Sequence, residues 1–319
     1  MNQLRGLRNL TLIDIPLYPS LLYFRTLVTL SLHDYRFNLH LDTLLNFLGE
    51  NHSLETIALD IGFAEHSLRS WHHRATIGKQ LRRLSIRSNN AMDAQALISG
   101  VALQKGAHLR LVCDDQDTGL DGILPGVSTA HLLNMSSPTL MEYRAYTRGI
   151  QLLGPHGSVS LVSTSDSNIL FAEFPLLPVA NIRELHLIHY VHHRWMQDPV
   201  ANPVLYLSFF PALETLTITH GTKLSHLFSA LWPNPSSPPS LKTRGFLGCI
   251  ITEGFMEELT RFASERKKST SAQLCRVVIV HWEEKFPSTD SIRGLGMYVP
   301  AVDVRVGVKL PTDISPNFP

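Results

Sequence analysis

The sequence predicts an α/β chain: a curved solenoid with a parallel sheet on its concave face and helices and loops on its convex face. Three observations lead there. A short segment with aliphatics at its first, fourth and sixth positions recurs along the chain. It returns every 20 to 33 residues, room for one strand, a return segment and two turns. That is too little to bury an apolar face alone, so neighbouring units must cover one another. Finally, several return segments carry the apolar spacing of helices. With 44% hydrophobic and 17% charged residues over a length of 319, the composition is that of a globular chain with a large core.

The segments follow in order. LRNLTLID starts at Leu7, LVTLSLHD at Leu27, LETIALDI at Leu54 and LRRLSIRS at Leu81, at intervals of 20, 27 and 27 residues. A further step of 27 reaches His108, where HLRLVC keeps Leu111 and Cys113 at positions four and six. The pattern returns as IRELHLIH at Ile182, LETLTITH at Leu213, LKTRGFLG at Leu241 and LCRVVIVH at Leu274. In each, the alternation sends two aliphatics to one side of a strand and their neighbours to the other. Stacked, such strands make a parallel sheet with right-handed crossovers.

Between them, Asp42 is placed to cap a helix presenting Leu44, Leu45, Phe47 and Leu48. Asp93 does the same for AQALISGVALQK, which ends at Gly106. Thr252 precedes a third helix with Phe255, Leu259 and Phe262 on one side, and Arg266, Lys267 and Lys268 in its last turn suit the negative end of the dipole. SLRSWHHRAT and KLSHLFSALW are further helical candidates. The spans are 1–118 for the regular N-terminal repeats, 119–178 for an irregular insertion and 179–319 for the C-terminal repeats and cap. Within the insertion, 140–147 and 157–163 read as a hairpin across the Gly154–Gly157 turn. AVDVRVGVKLP, with its alternating valines, reads as a capping strand.

The chemistry excluded is broad. With 28 Lys and Arg against 27 Asp and Glu the chain has no overall electrostatic footprint for nucleic acid or an acidic membrane. Neither partner is expected. Cys113, Cys249 and Cys275 lie far apart with no CxxC pair, so neither a disulfide framework nor a zinc module is indicated. The N-terminus has no secretory leader pattern and no window holds a membrane span, which points to a reduced, intracellular protein of the cytoplasm or nucleus. The sequons at Asn9, Asn51 and Asn134 are then idle.

HLIHYVHHRW brings His186, His189, His192 and His193 together, but it begins as a strand and carries no acidic or cysteine ligand beside them. It reads as a strand end and solvated loop, with a metal-dependent enzyme as the alternative. His72 and His73 diverge if helical, and DDQDTGLDG from Asp114 lacks the glycine register and the final Glu of a calcium loop. No nucleophile elbow, zinc-protease or phosphate-loop motif is present, so no catalytic residue, no metal and no cofactor is assigned.

The units at Leu54, Leu81, Ile182 and Leu213 resemble irregular leucine-rich repeats, carrying L-x-x-L-x-L without the Asn or Cys of the stricter subfamilies. Together with FPALETLTI, SSPPSLKTRGF and a C-terminal helix followed by LCRVVIV, they resemble the repeat region of fungal F-box proteins. The resemblance implies a non-catalytic receptor surface for a protein substrate of a cullin-type ubiquitin ligase. The F-box itself is absent from this chain, so the ligase adaptor is expected as a partner only where an F-box lies upstream. A stand-alone scaffold is the alternative.

The expected binding surface is the concave sheet face. Its residues are His33, Thr56, Asp60, Arg83, Ser85 and Arg87 in the first half, and Glu184, His186, Thr215, Thr217, Thr219 and Arg276 in the second. Arg83 and Arg87 stand beside Asp60, so both signs of charge are offered to a protein partner. Leu247, Val278 and Val280 are expected to be covered by the C-terminal strand and, if exposed, to form the better contact patch.

Overall fold

A computed structural model describes residues 6–13, 26–37, 41–63, 80–88, 94–95, 97–98, 101, 103, 105–113, 137–144, 149–155, 157–163, 177–188, 207, 209–219, 224, 238–268, 273–281 and 287–306. It is α/β, and its strand pairing is mostly parallel. The chain forms two compact units, residues 1–139 with 147–178, and residues 140–146 with 179–319.

The first unit holds β1 (Asn9–Ile13), β2 (Thr29–Phe37), β3 (Thr56–Phe63), β4 (Arg83–Ser88) and β5 (His108–Cys113) side by side. Leu10, Leu30, Ile57 and Leu84 align across these strands, as do Leu12, Leu32, Leu59 and Ile86. These are the fourth and sixth positions of the repeated segment. Leu30, Leu32, Ile57 and Ile86 are fully buried, each contributing roughly 1.5–3 kcal/mol relative to an exposed side chain. A backbone chain of hydrogen bonds runs just ahead of the strands: Val28 N to Arg8 O at 2.6 Å, Glu55 N to Val28 O at 2.9 Å, Arg82 N to Glu55 O at 2.8 Å and His108 N to Arg82 O at 2.7 Å. Each strand therefore starts where its predecessor starts, which keeps the apolar rows in line.

At β5 the alignment differs from the expected one. His108 pairs with Arg83, so the fourth and sixth positions are Leu109 and Leu111, and the segment starts at Gly106, two residues earlier than expected. A shift of two leaves every side chain on its expected face, because strand alternation has a period of two. Gly106 holds a positive φ of 88°, the backbone state for which glycine is suited.

The hairpin also differs. β6 (Leu140–Arg144) belongs to the second unit, where it pairs in parallel with β9 (Glu184–Ile188). The antiparallel partner of β8 (Gly157–Ser163) is β7 (Gly149–Gly154). β8 pairs in parallel with β5 on its other side, with Val159 and Leu161 opposite Leu109 and Leu111. Both 140–144 and 157–163 thus carry the repeat's own alternation, and the hairpin's first strand is GIQLLG. Gly154 is fitted tightly, since a Cβ there would lie 2.7 Å from Ser137 O.

One helix of the first unit is α1 (Leu41–Glu50), and it buries Leu44, Leu45, Phe47 and Leu48 as the spacing predicts. It begins one residue before Asp42, which therefore lies inside its first turn. Asn51 closes it, donating from Nδ2 to Phe47 O at 2.8 Å while fully buried. A glycan cannot be attached to a side chain so enclosed. Residues 94–95 and 97–98 are helical, with Ala94, Leu97 and Ile98 buried. The helix is not continuous to Gly106, since residues 101 and 103 are outside it.

In the second unit β6 and β9 are followed by β10 (Thr215–Thr219), β11 (Thr243–Leu247), β12 (Arg276–His281) and β13 (Ala301–Val306). The four segments starting at Ile182, Leu213, Leu241 and Leu274 align as their spacing predicts, with Leu185, Leu216, Arg244 and Val277 in one row. β13 extends the sheet as a parallel neighbour of β12. It does not lie over the face, contrary to the expectation for Leu247, Val278 and Val280.

Two helices with described bounds in this unit are α2 (Glu253–Lys268) and α3 (Thr289–Gly296). Thr252 caps α2, its Oγ1 accepting from Phe255 N at 3.1 Å. Phe255, Met256, Leu259 and Phe262 are buried, and Phe255 meets Phe246 of β11 edge to face at 5.0 Å. Arg266 is not a solvated partner of the helix dipole. It is fully buried and donates from Nη2 to Pro238 O at 3.1 Å and Leu241 O at 3.0 Å, clamping the loop before β11 to the helix.

Candidate binding face

The face opposite the aliphatic rows is built by the same alternation that builds the core. In the first unit the register sets Thr29, Thr56, Arg83 and His108 in one row, and Ser31, Ala58, Ser85 and Arg110 in the next. His33, Thr56, Asp60, Arg83, Ser85 and Arg87 therefore share one side of the sheet, as expected, and Asp60 stands opposite Arg87. β2 is irregular between Leu32 and Tyr35, placing His33 where an extra residue enters the strand. Ser31 Oγ and His33 Nε2 are 2.6 Å apart. His108 Nδ1 meets Ser158 Oγ of β8 at 2.7 Å. Arg83, Arg87 and Arg110 are exposed, and the serines and threonines between them half-buried.

Arg110 and His108 were legible in HLRLVC, where they flank the aliphatics. The two-residue shift at β5 hid their alignment with Ser85 and Arg83. Ser160 and Gln151 belong to the same face through β8 and β7, and only the pairing of those strands reveals them.

In the second unit Glu184, Thr215, Thr243, Arg276 and Ala301 form one row and Glu142, His186, Thr217, Gly245, Val278 and Asp303 the next. Glu184, His186, Thr215, Thr217, Thr219 and Arg276 thus share one side, as expected. His186 Nε2 lies 3.8 Å from Glu184 Oε2. Arg276 is drawn to Asp303, 3.7 Å away, and Arg305 donates from Nε to Asp303 Oδ1 at 2.8 Å. The Arg305 hydrogen bond, followed by the attraction of Arg305 and Arg276, holds the Asp303 carboxyl below the usual carboxylate range. Leu247 and Val280 are directly opposite each other, with Val278 nearby, and all three are half-buried on this face. Gly245 lies between Thr217 and Val278. A Cβ there would come within 3.2 Å of Thr217 Oγ1, so the Thr217 side chain already fills the space beside the buried glycine.

Among the described residues no group of three His, Cys, Asp or Glu side chains could hold a metal ion. Of the histidine-rich segment, His186 is on the sheet face, whereas His189, His192 and His193 lie outside the described residues, as do His72, His73, residues 114–122 and Asn134. The three cysteines are free, Cys113 and Cys249 buried and Cys275 exposed. An open groove of about 360 Å³ lies between α2 and α3, lined by Met256, Thr260, Arg261 and Tyr298 among others. No described helix is long and apolar enough to cross a membrane. No known protein-family model matches the chain, and no curated protein matches it either.

Proposed function

We propose that this chain is a non-catalytic protein-binding module, a curved solenoid of irregular leucine-rich-repeat type whose sheet face grips a partner. The observation that carries the reading is the second unit's face. There an apolar strip, Leu247 with Val278 and Val280, is half-buried and flanked by Thr217, Thr219, Arg276 and Asp303, and among the described residues no strand is laid over it. An apolar centre with a polar rim is the composition of a protein interface. The role similar to that of an F-box protein's substrate receptor belongs to the same proposal. Where an F-box precedes these residues, the adaptor of a cullin-type ligase will copurify with the longer chain. Where none does, the module is a stand-alone scaffold.

The test places a photoreactive p-benzoylphenylalanine at Thr217 or Arg276, on the face, and at Glu257, on the exposed side of α2. Cross-linking in cell extract is expected from the two face positions, competed by excess unlabelled chain, and not from Glu257. Equal labelling from all three positions, or none from the face, sinks the reading.

A further inference from the structure

Resting on that reading of the sheet face, we propose that in the first unit Arg83, Arg87 and Arg110 form a receptor for an extended acidic segment of a protein partner, one with carboxylates at alternating positions. The chain as a whole is nearly neutral, at +1, so charge on one face has to be gathered locally. It is gathered on two adjacent strands. β4 contributes Arg83 and Arg87 and β5 contributes Arg110, all exposed and all on the same side. Among the described side chains of this face, the fixed charges are those three arginines and Asp60, so 3 − 1 leaves an excess of +2. Asp60 offsets part of the patch beside Arg87 and leaves its positive sign intact.

The spacing selects the occupant. Four residues of parallel strand separate Arg83 from Arg87, about 13 Å at roughly 3.3 Å per residue. Arg110 is opposite Ser85, midway between them and one strand over, about 4.8 Å to the side. Along the strand direction the three guanidinium stems are therefore staggered at intervals of about 6.6 Å, the repeat of alternate residues in an extended chain. A peptide lying along β4 with acidic residues at i, i+2 and i+4 meets one arginine with each carboxylate. Arginine suits this, since its planar fork pairs with a carboxylate through two parallel hydrogen bonds. A nucleic acid strand fits less well. It calls for a longer positive track and stacking aromatics, whereas among the described residues the row beyond Arg110 continues with Ser160 and Gln151.

The experiment uses the whole chain and fluorescence anisotropy of labelled peptides. A peptide with a Glu-Thr-Glu-Thr-Glu core is compared with its Gln-Thr-Gln-Thr-Gln counterpart and with a Glu-Glu-Glu-Thr-Thr core of equal charge. The alternating Glu peptide is expected to bind about tenfold more tightly than the Gln peptide and about threefold more tightly than the blocked one, with affinity falling as salt shortens the Debye length. Arg110→Gln is expected to weaken it about fivefold, and Arg83→Gln with Arg87→Gln to abolish it, with the far-ultraviolet circular dichroism unchanged. Should the double variant fail to fold, Arg110→Gln and the salt titration still decide the matter. Equal affinity for the Glu and Gln peptides, or binding indifferent to Arg110→Gln, overturns the proposal. So does displacement of the peptide by inorganic phosphate or single-stranded DNA at lower concentrations than by unlabelled Glu peptide. Cross-linking from Thr217 and Arg276 without any acidic-peptide binding defeats this inference alone and leaves the binding-module reading standing. Failure of both removes both.

Discussion

Arg266 is the residue at which local and tertiary logic part company. Near the end of an amphipathic helix a cation reads as a partner of the dipole, and its neighbours Lys267 and Lys268 are exposed as that reading requires. Arg266 instead points into the unit, where its guanidinium holds two loop carbonyls and lies 5.6 Å from the Phe262 ring. Burial lowers its pKa from the ordinary value to about 10. A base whose folded pKa is lowered holds its proton less firmly folded than unfolded. Desolvation therefore costs stability throughout the neutral range, and that cost is relieved only as pH rises through about 10. What offsets it is the pair of charge-assisted bonds. Arg266→Ala leaves two carbonyls and a void behind, and is expected to lower unfolding stability by about 2–4 kcal/mol, read from urea denaturation. Arg244 sits in the aliphatic row between Leu216 and Val277, its guanidinium 4.0 Å from the Phe262 ring centroid. Its place in that row could be read from LKTRGFLG; that an aromatic ring of α2 would cover it could not.

At the scale of elements, a carboxylate joins the start of α2 to the start of α3, while Lys267 near the other end of α2 donates from Nζ to Met297 O at 2.9 Å. Glu253, in the first turn of α2, accepts from Ser288 N at 2.7 Å and from the Ser291 hydroxyl, so it holds the N-terminus of α3, whose cap is Ser288 itself. The Ser291 hydroxyl first, and the Ser288 amide second, keep the Glu253 carboxyl below its ordinary pKa. A lowered folded pKa means the stabilisation is present above the unfolded carboxylate value and lost as pH falls through the folded one. The melting temperature of the wild type is therefore expected to fall more steeply below about pH 4.5 than that of Glu253→Gln, which has no such proton to gain. Calorimetry at a series of pH values checks this, and parallel curves for the two proteins would contradict it. None of this clasp was legible beforehand, because Glu253 and Ser291 are 38 residues apart. The elements themselves were largely legible. α1 and α2 bury the residues their spacing marks, whereas the hairpin went astray because 140–144 carries the same alternation as any strand, and alternation does not name a partner.

At the scale of the whole molecule, each unit is a ladder in which interior strands are paired on both sides and outer ones on one. Amide hydrogen exchange is expected to be slowest in β3, β4, β10 and β11 and faster in β1 and β13. Mass spectrometry of exchanged peptides reads this directly, and equal protection of β1 and β3 would count against the ladder. What the sequence determined by itself is the alternation within each repeated segment: which positions point inward, which outward, and hence the α/β class and the face residues of those segments. These depend on a period of two and on interval lengths, both of which survive a two-residue error such as that at His108. What only the tertiary structure decided is adjacency. That β8 lies against β5 and β6 against β9, that Arg110 falls between Arg83 and Arg87, and that Leu247 stands opposite Val280 all depend on which strand pairs with which. Pairing is chosen by long-range burial and shared backbone hydrogen bonds, and neither is recorded within a single segment.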